Sequence, residues 1–121
     1  MSKSKARIHI IGTGGSIAGL GPHRLDYTQY AELGEKLTIE QSLERIPEAN
    51  DIADIESEDL ISVGSGAIGP NDWLKLSQRI NELLITDDVD GVVVTHGTAT
   101  LEIPHLYNNL LPRTLHFLFA L

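Results

Sequence analysis

The stretch RIHIIGTGGSIAG, residues 7–19, passes from an apolar segment directly into a turn with two adjacent glycines. Its first part contains three isoleucines, which are β-branched, so residues 7–12 are predicted to form a buried strand. Two hydroxyl residues, Thr13 and Ser16, flank the glycine pair. Because glycine-rich turns after strands often bind ligands, this turn is a candidate either for a phosphate-binding site or for the position of a catalytic nucleophile.

Two helices are predicted further along the chain. Thr38 and Gln41 form a capping-box pattern that opens the first helix, and Pro47 closes it. The apolar stripe of this helix consists of Ile39, Leu43 and Ile46. Asn71 is predicted to cap the second helix. Its apolar residues recur at spacings of three and four, and they are Trp73, Leu76, Ile80 and Leu83.

Two more strands are predicted, and both run into polar turns. One lies around DLISVGSG, residues 59–66, and the other lies within DGVVVTHGTAT, residues 90–100. We interpret residues 20–34 as a loop and expect residues 101–111 to be helical. The apolar tail, residues 112–121, is predicted to be a final strand or helix.

This alternation of strands and helices predicts an α/β fold. We expect a doubly wound, mostly parallel sheet, Rossmann-like or flavodoxin-like, with helices on both faces. Three or four strand–helix units make only part of such a sheet. The expectation is therefore an incomplete domain over residues 1–121.

The composition excludes several classes of function. The chain has 121 residues, of which 41% are hydrophobic, so a globular core is expected. A net charge of −8 disfavours nucleic acid and anionic membranes as partners. The absence of cysteine excludes disulfides and thiolate chemistry. We interpret the acidic run EANDIADIESED, residues 48–59, as a solvated face.

Neither common phosphate-binding motif fits the glycine turn. A dinucleotide fingerprint that starts at Gly12 requires glycine at the sixth position, where this chain has Ile17. A P-loop that uses Gly14 and Gly19 requires lysine next, where this chain has Leu20. The turn is therefore not predicted to hold a nucleotide.

Polar side chains follow each predicted strand at the point where the strand ends. Because parallel strands place their carboxyl ends at one edge, these hydroxyls are expected to share one crevice. The residues are Thr13, Ser16, Ser65, Thr95, Thr98 and Thr100. The alternative for any single one of them is that it only caps the following helix.

The glycine turn suits a nucleophile. A threonine hydroxyl such as that of Thr13 needs a base or a polarising neighbour. Gly14 and Gly15 would let the backbone approach a substrate, with amide donors at the positive end of a following helix. His96 is the histidine nearest to a predicted turn, and we interpret it chiefly as a packed, hydrogen-bonded residue.

Three segments resemble the bacterial L-asparaginase family. GTGGSIAG (12–19) is similar to its first signature, and GVVVTHGTATLE (91–102) is similar to its second. VGSGAIGPNDWL (63–74) resembles its substrate-binding serine segment. The resemblance runs from about residue 7 to residue 111. It implies an N-terminal asparaginase domain, with the C-terminal domain absent from this chain.

The resemblance implies a cofactor-free amidohydrolase that converts L-asparagine and water to L-aspartate and ammonia. Thr13 would be the nucleophile that forms the acyl-enzyme, and Thr98 would be the second catalytic threonine. Either Tyr27 or Tyr30 would be the assisting loop tyrosine. Ser65 would bind the α-carboxylate or amino end of the substrate.

Further substrate-binding positions follow from the same resemblance. They are Gly12, Gly14, Gly15, Gly97 and Ala99. The family has an aspartate where this chain has Ala99, and that aspartate binds the substrate's ammonium group. A relay lysine and the C-terminal domain are expected beyond residue 121. We therefore expect this chain alone to be inactive.

Two other functions fit the same residues. A non-catalytic amino-acid-binding or subunit-interaction fragment would explain Ala99. The asparaginase-like subunit of a tRNA-dependent amidotransferase shares the signatures but carries an additional N-terminal domain, for which the strand near residue 7 leaves no room. The acidic charge also disfavours tRNA.

The resemblance further implies a cytoplasmic protein, a homotetramer or homodimer, with L-asparagine as substrate and L-glutamine left open as a second one. No segment is long and apolar enough to predict a membrane span or a signal peptide. His105 and His116 lack metal-ligand spacing, so no metal site is predicted.

Overall fold

The structure is a computed structural model and describes residues 4–30, 34–86 and 89–100, and the backbone of residues 115–120. The main sheet of this part of the chain has four parallel strands, which are β1 (Ala6–Gly12), β4 (Ala53–Asp59), β5 (Gly91–Gly97) and β6 (Leu115–Ala120). Their order across the sheet is β4-β1-β5-β6. The two-residue strands β2 (Gly19–Leu20) and β3 (Glu35–Lys36) pair antiparallel beside it. This is the predicted mostly parallel sheet.

Within the described residues, three helices connect the strands. They are α1 (Ile39–Glu44), α2 (Ala49–Ile52) and α3 (Pro70–Thr86). The chain leaves β1 in one direction to reach β4 and returns in the other to reach β5. Because such crossovers are right-handed, the two connections lie on opposite faces of the sheet. The strand order is that of a flavodoxin-like doubly wound fold, as predicted.

The main core lies between the sheet and α3. All four predicted apolar residues of α3 are buried there. They pack with side chains from β1 and β5, in a cluster that includes Ile11, Trp73, Leu76, Ile80, Leu83, Val92 and Val94. Side chains that recur every three or four residues along α3 pack here against side chains that alternate along the strands.

The opposite face is covered more thinly, by α1 and α2. A space of about 260 Å³, the apolar hollow, remains there between Ile10 and Val93 of the sheet and Ile39 and Leu43 of α1. Gly12 and Gly14 also line it. This face therefore has free volume directly beside the glycine turn.

The predicted cap of α1 is confirmed. The Thr38 side chain accepts from the backbone N–H of Gln41, and the Gln41 side chain accepts from the backbone N–H of Thr38. Asp59 at the end of β4 also accepts from the N–H of Ile39, at 3.1 Å to each carboxylate oxygen. The acidic side chain stabilises the amino end of the helix.

Several predicted boundaries are wrong. The second strand is Ala53–Asp59 rather than residues 59–66, so the end of the acidic run 48–59 is an edge strand. Ile46 is 53% exposed and does not belong to the buried stripe. Asn71 lies inside α3, which begins at Pro70. Proline suits a first helical position because its missing N–H has no helical partner there.

The remaining predictions of secondary structure either are confirmed or fall on residues that the structure does not describe. Strands at 7–12 and within 90–100 are confirmed, and the backbone at 115–120 forms a strand. The helix predicted over 101–111 lies outside the described residues, as does His105. Within the described residues, no helix is long and apolar enough to cross a membrane.

Candidate active site

The three polar turns meet at the carboxyl edge of the sheet, as predicted. They are the 3-10 turns Ser16–Ala18, Ser65–Ala67 and Thr98–Thr100. The turn after β1 lies against β5, and the other two turns lie against each other. Parallel register brings them together, because Gly12 of β1 pairs with Thr95 of β5.

Thr13 is fully buried and anchored to β5. Its backbone N–H donates to the Thr95 carbonyl at 3.1 Å, and its Oγ1 donates to the same carbonyl at 2.8 Å. Its Oγ1 also lies 2.9 Å from Nδ1 of His96. The hydroxyl has one hydrogen, and a carbonyl oxygen can only accept. Both contacts are therefore satisfied when Nδ1 of His96 carries a proton and donates to Thr13.

His96 is held in place by the main core. It is fully buried, and its ring meets that of Trp73 edge to face with 5.1 Å between ring centroids. Burial lowers the pKa of His96, because the charged imidazolium would lose its hydration. His96 is thus a neutral, packed residue that donates to Thr13. This agrees with its interpretation from sequence.

The glycine pair has the conformation for which glycine is suited. Gly14 and Gly15 have φ angles of 80° and 85°. A Cβ on Gly14 would lie 2.8 Å from the carbonyl oxygen of Val63, so the turn packs directly on the backbone after β4. The predicted helix after the turn is wrong, since only the three-residue turn Ser16–Ala18 follows. Its few residues do not build a macrodipole.

A space of mixed polar and apolar lining opens beside the glycine pair. The residues that line this turn hollow, of about 400 Å³, include Gly14, Gly15, Ser16, Asp59, Ser62 and Gly64. Its size suits a small amino acid. Thr13 does not line the turn hollow. The Thr13 side chain points instead toward His96, on the face of the sheet that carries the main core.

Other predicted site residues lie around this edge. Gly12 closes β1, and a Cβ there would come within 2.8 Å of Asp59. The backbone of Ser65 forms part of the turn after β4. Gly97 is buried at the end of β5, Thr98 is half-buried, and Ala99 is exposed.

The two candidate tyrosines are not brought to Thr13. Tyr27 is 78% exposed, and Tyr30 is half-buried with its ring near Gly19. Among the described contacts, no hydrogen bond joins either tyrosine to Thr13. The choice between Tyr27 and Tyr30 stays a prediction.

Sequence reasoning missed two partners of the glycine turn. One is the Thr95 carbonyl together with the His96 ring, and the other is Asp59 beside Gly12. Strand register could have indicated the first, because residues that follow paired strand ends are neighbours. Within the described residues, no group of three potential metal ligands is present.

A doubly wound sheet with a glycine-flanked threonine at its carboxyl edge defines the class as an α/β protein of the kind that binds ligands at this edge. The profile of the family described as "Asparaginase, N-terminal" matches residues 7–106. The chain belongs to this asparaginase family.

Individual relatives agree with this assignment. L-asparaginase 2 of Bacillus subtilis is 44% identical over 108 residues, which are 89% of this chain and 28% of that protein. Glutaminase-asparaginase of Pseudomonas fluorescens biotype A is 38% identical over 109 residues, which are 90% of this chain and 30% of that protein. A crystal structure of a probable cytoplasmic L-asparaginase from Campylobacter jejuni matches with a TM-score of 0.65 and 35% identity. It covers 81% of this chain and 26% of that chain. The chain thus spans under a third of the length of these proteins.

Proposed function

We propose that this chain supplies the nucleophile-bearing part of an L-asparaginase-type amidohydrolase. The observation that carries the proposal is Thr13, which is held by the adjacent residues Thr95 and His96 of the segment similar to the family's second signature and is followed by two glycines in positive-φ conformations. The names of the relatives support asparagine and glutamine as substrate candidates.

The proposed reaction passes through a threonine ester. Oγ1 of Thr13 attacks the side-chain carbonyl carbon of L-asparagine, the C–N bond breaks, and ammonia leaves with the proton that the hydroxyl loses. Water then hydrolyses the ester, which releases L-aspartate and restores the hydroxyl. Backbone N–H groups of the glycine turn are suited to stabilise the oxyanion.

Thr13 must move for this reaction. Its side chain has no exposed surface, and its hydroxyl is engaged by Thr95 and His96. We propose that a χ1 rotation turns Oγ1 toward the turn hollow, where the substrate would lie beside Gly14 and Gly15. In this arrangement Thr98, Ser65 and one of the loop tyrosines take the roles that the resemblance implies.

The chain alone is proposed to turn over slowly or not at all. Ala99 provides no carboxylate for the substrate's ammonium group. We further propose that residues 1–121 are part of an N-terminal domain, that the complete protein is cytoplasmic, and that it assembles as a homodimer or homotetramer.

Covalent labelling tests the nucleophile without requiring turnover. The chain is incubated with an asparagine analogue that carries a diazoketone in place of the side-chain amide, and the labelled peptide is identified by mass spectrometry. We expect one label on Thr13 and none in Thr13→Ala. Labelling of another residue, or equal labelling of both proteins, would contradict the proposal.

A second variant tests the role of position 99. Ala99→Asp restores a carboxylate at an exposed position of the turn, so the variant is expected to fold. A charge-assisted contact of about 1.4 kcal/mol corresponds to a roughly tenfold faster labelling rate at subsaturating analogue. An unchanged rate would argue for the non-catalytic alternative at this position.

A further inference from the structure

A second space, with both polar and apolar residues in its lining, lies on the far side of Ser16 from the glycine pair. This loop hollow, of about 810 Å³, lies between the loop 21–30 and the carboxyl end of α1. The polar residues that line it are Ser16, His23, Arg24, Asp26, Tyr27, Tyr30 and Arg45. Thr13 and the glycine pair do not line it, but Ser16 lines both this hollow and the turn hollow, so the loop hollow adjoins the candidate active site.

Two arginines line this hollow, and among the described residues neither side chain has an anionic partner. The whole chain has 9 basic residues against 17 acidic ones, so ion pairs are readily available to a cation. Within the described part of the chain, the side chains of Arg24 and Arg45 nevertheless form no ion pair or hydrogen bond, whereas that of Arg79 binds Glu58. Both guanidinium groups therefore have their donors available to a ligand.

His23 adds a third donor. Its Nδ1 accepts from the backbone N–H of Leu25 at 3.2 Å, which places the ring proton of the neutral imidazole on Nε2. This proton is available because the histidine also lines the loop hollow.

Asp26 is the one carboxylate among the described lining residues, and it is engaged within its own loop. Its Oδ1 accepts from the backbone N–H groups of Gln29 and Thr28, at 2.8 Å and 2.9 Å. These hydrogen bonds lower the pKa of Asp26. The carboxylate is therefore negative at neutral pH, and the two arginines leave the hollow with a net positive charge.

We propose that the loop hollow binds a small dianion with several oxygen atoms, such as a phosphate or a dicarboxylate. A guanidinium presents a planar pair of donors that matches two oxygens of such an anion. Arg24 belongs to the loop and Arg45 to the end of α1, so the anion bridges the loop and the body of the domain. It thereby fixes the segment that carries Tyr27 and Tyr30. This inference does not depend on the amidohydrolase proposal.

Titration of the 121-residue chain tests the site directly. Inorganic phosphate and succinate are used as separate probes at constant ionic strength, with binding followed by calorimetry and by backbone amide NMR. We expect saturable binding with a dissociation constant on the order of 1 mM for at least one probe. Amide shifts are expected in residues 21–30 and near Arg45. Which probe binds distinguishes phosphate from dicarboxylate.

Matched variants identify the groups that bind. Arg24→Gln and Arg45→Gln are each expected to weaken binding about tenfold, since each removes a charge-assisted contact. Lys75→Gln removes one positive charge from α3, on the other face of the sheet, and is expected to bind as the parent does. No saturable binding of either probe up to about 20 mM, or unchanged binding by both arginine variants, would overturn the proposal.

Discussion

The two faces of the sheet differ in how completely they are packed. On one face, the 17-residue helix α3 buries a continuous apolar core. On the other, α1 and α2 have six and four residues, and the apolar hollow of about 260 Å³ remains beside Ile10 and Val93. The chain thus combines one tightly packed face with one that retains free volume.

The glycine turn lies where the two faces meet. The side chain of Thr13 points into the packed face, where His96 and Trp73 restrain it. Gly12 and Gly14 instead line the open face. The packed face therefore sets the position of the hydroxyl, while the open face leaves room for the backbone to approach a ligand.

The same substitution on the two faces should have very different effects. Ile80→Ala removes a fully buried side chain from the packed face, with an expected cost of roughly 2–5 kcal/mol in the free energy of unfolding. Ile46→Ala, at a position that is 53% exposed on the open side, should cost less than about 1 kcal/mol. Urea unfolding followed by circular dichroism measures both. Equal costs would show that the two faces are packed alike.

A polar cluster also contributes to the packed face. Glu58 of β4 accepts from Nε of Arg79 at 2.6 Å and lies 3.0 Å from Nε2 of the buried His9. Glu58→Gln removes the charge from both contacts and is expected to destabilise the chain by about 1–3 kcal/mol. The control is Glu82→Gln, since Glu82 is 63% exposed and lies 3.4 Å from Arg79. It should cost less than about 0.5 kcal/mol. A larger cost for the control would place the ionic stabilisation on α3 alone.

The packed face was predictable because its signals are local. The spacing of Trp73, Leu76, Ile80 and Leu83 indicates one buried stripe, and the isoleucines of β1 indicate a buried strand. The capping box of α1 is likewise contained within four residues, Thr38 to Gln41. Each pattern specifies an element without knowledge of its neighbours.

The edge of the sheet and the site were harder to predict. β4 has the sequence ADIESED, whose acidic side chains suit an exposed edge strand but resemble those of a solvated loop. Thr13 and His96 are 83 positions apart, so their contact depends on strand register rather than on any local motif. The pairing of Arg24 and Arg45 around one hollow depends in the same way on how the loop folds back over α1.

The buried histidine predicts how stability responds to acid. Because burial lowers the pKa of His96 below 6.5, the unfolded chain binds a proton before the folded chain does as the pH falls. The free energy of unfolding should therefore decrease below about pH 6.5, by at most about 1.4 kcal/mol per pH unit from this group. Above that pH the His96 contribution is constant. Urea titrations across this range measure the slope.

The slope can be assigned to His96 by difference. His96→Gln should reduce the decrease relative to the parent chain, while carboxylates and the other histidines contribute equally to both proteins. If that variant does not fold, the imidazole resonance of His96 in the parent chain should keep its neutral position below pH 6.5. An imidazolium signal at that pH would contradict a neutral, packed His96.

The smallest predicted effect is the most direct comparison of the two faces, because it uses neighbouring residues of one strand. Ile11 is fully buried and points toward α3, while Ile10 is half-buried and lines the apolar hollow. Ile11→Val removes one methylene from a filled space and should cost about 0.5–1.5 kcal/mol. Ile10→Val removes the same group next to existing free volume, where fewer contacts are lost, and should cost less than about 0.5 kcal/mol. Strand propensity is the same in both variants, since valine and isoleucine are both β-branched. The difference between the two variants in the free energy of unfolding therefore reports packing alone. A larger cost for Ile10→Val than for Ile11→Val would reverse the assignment of the packed and open faces.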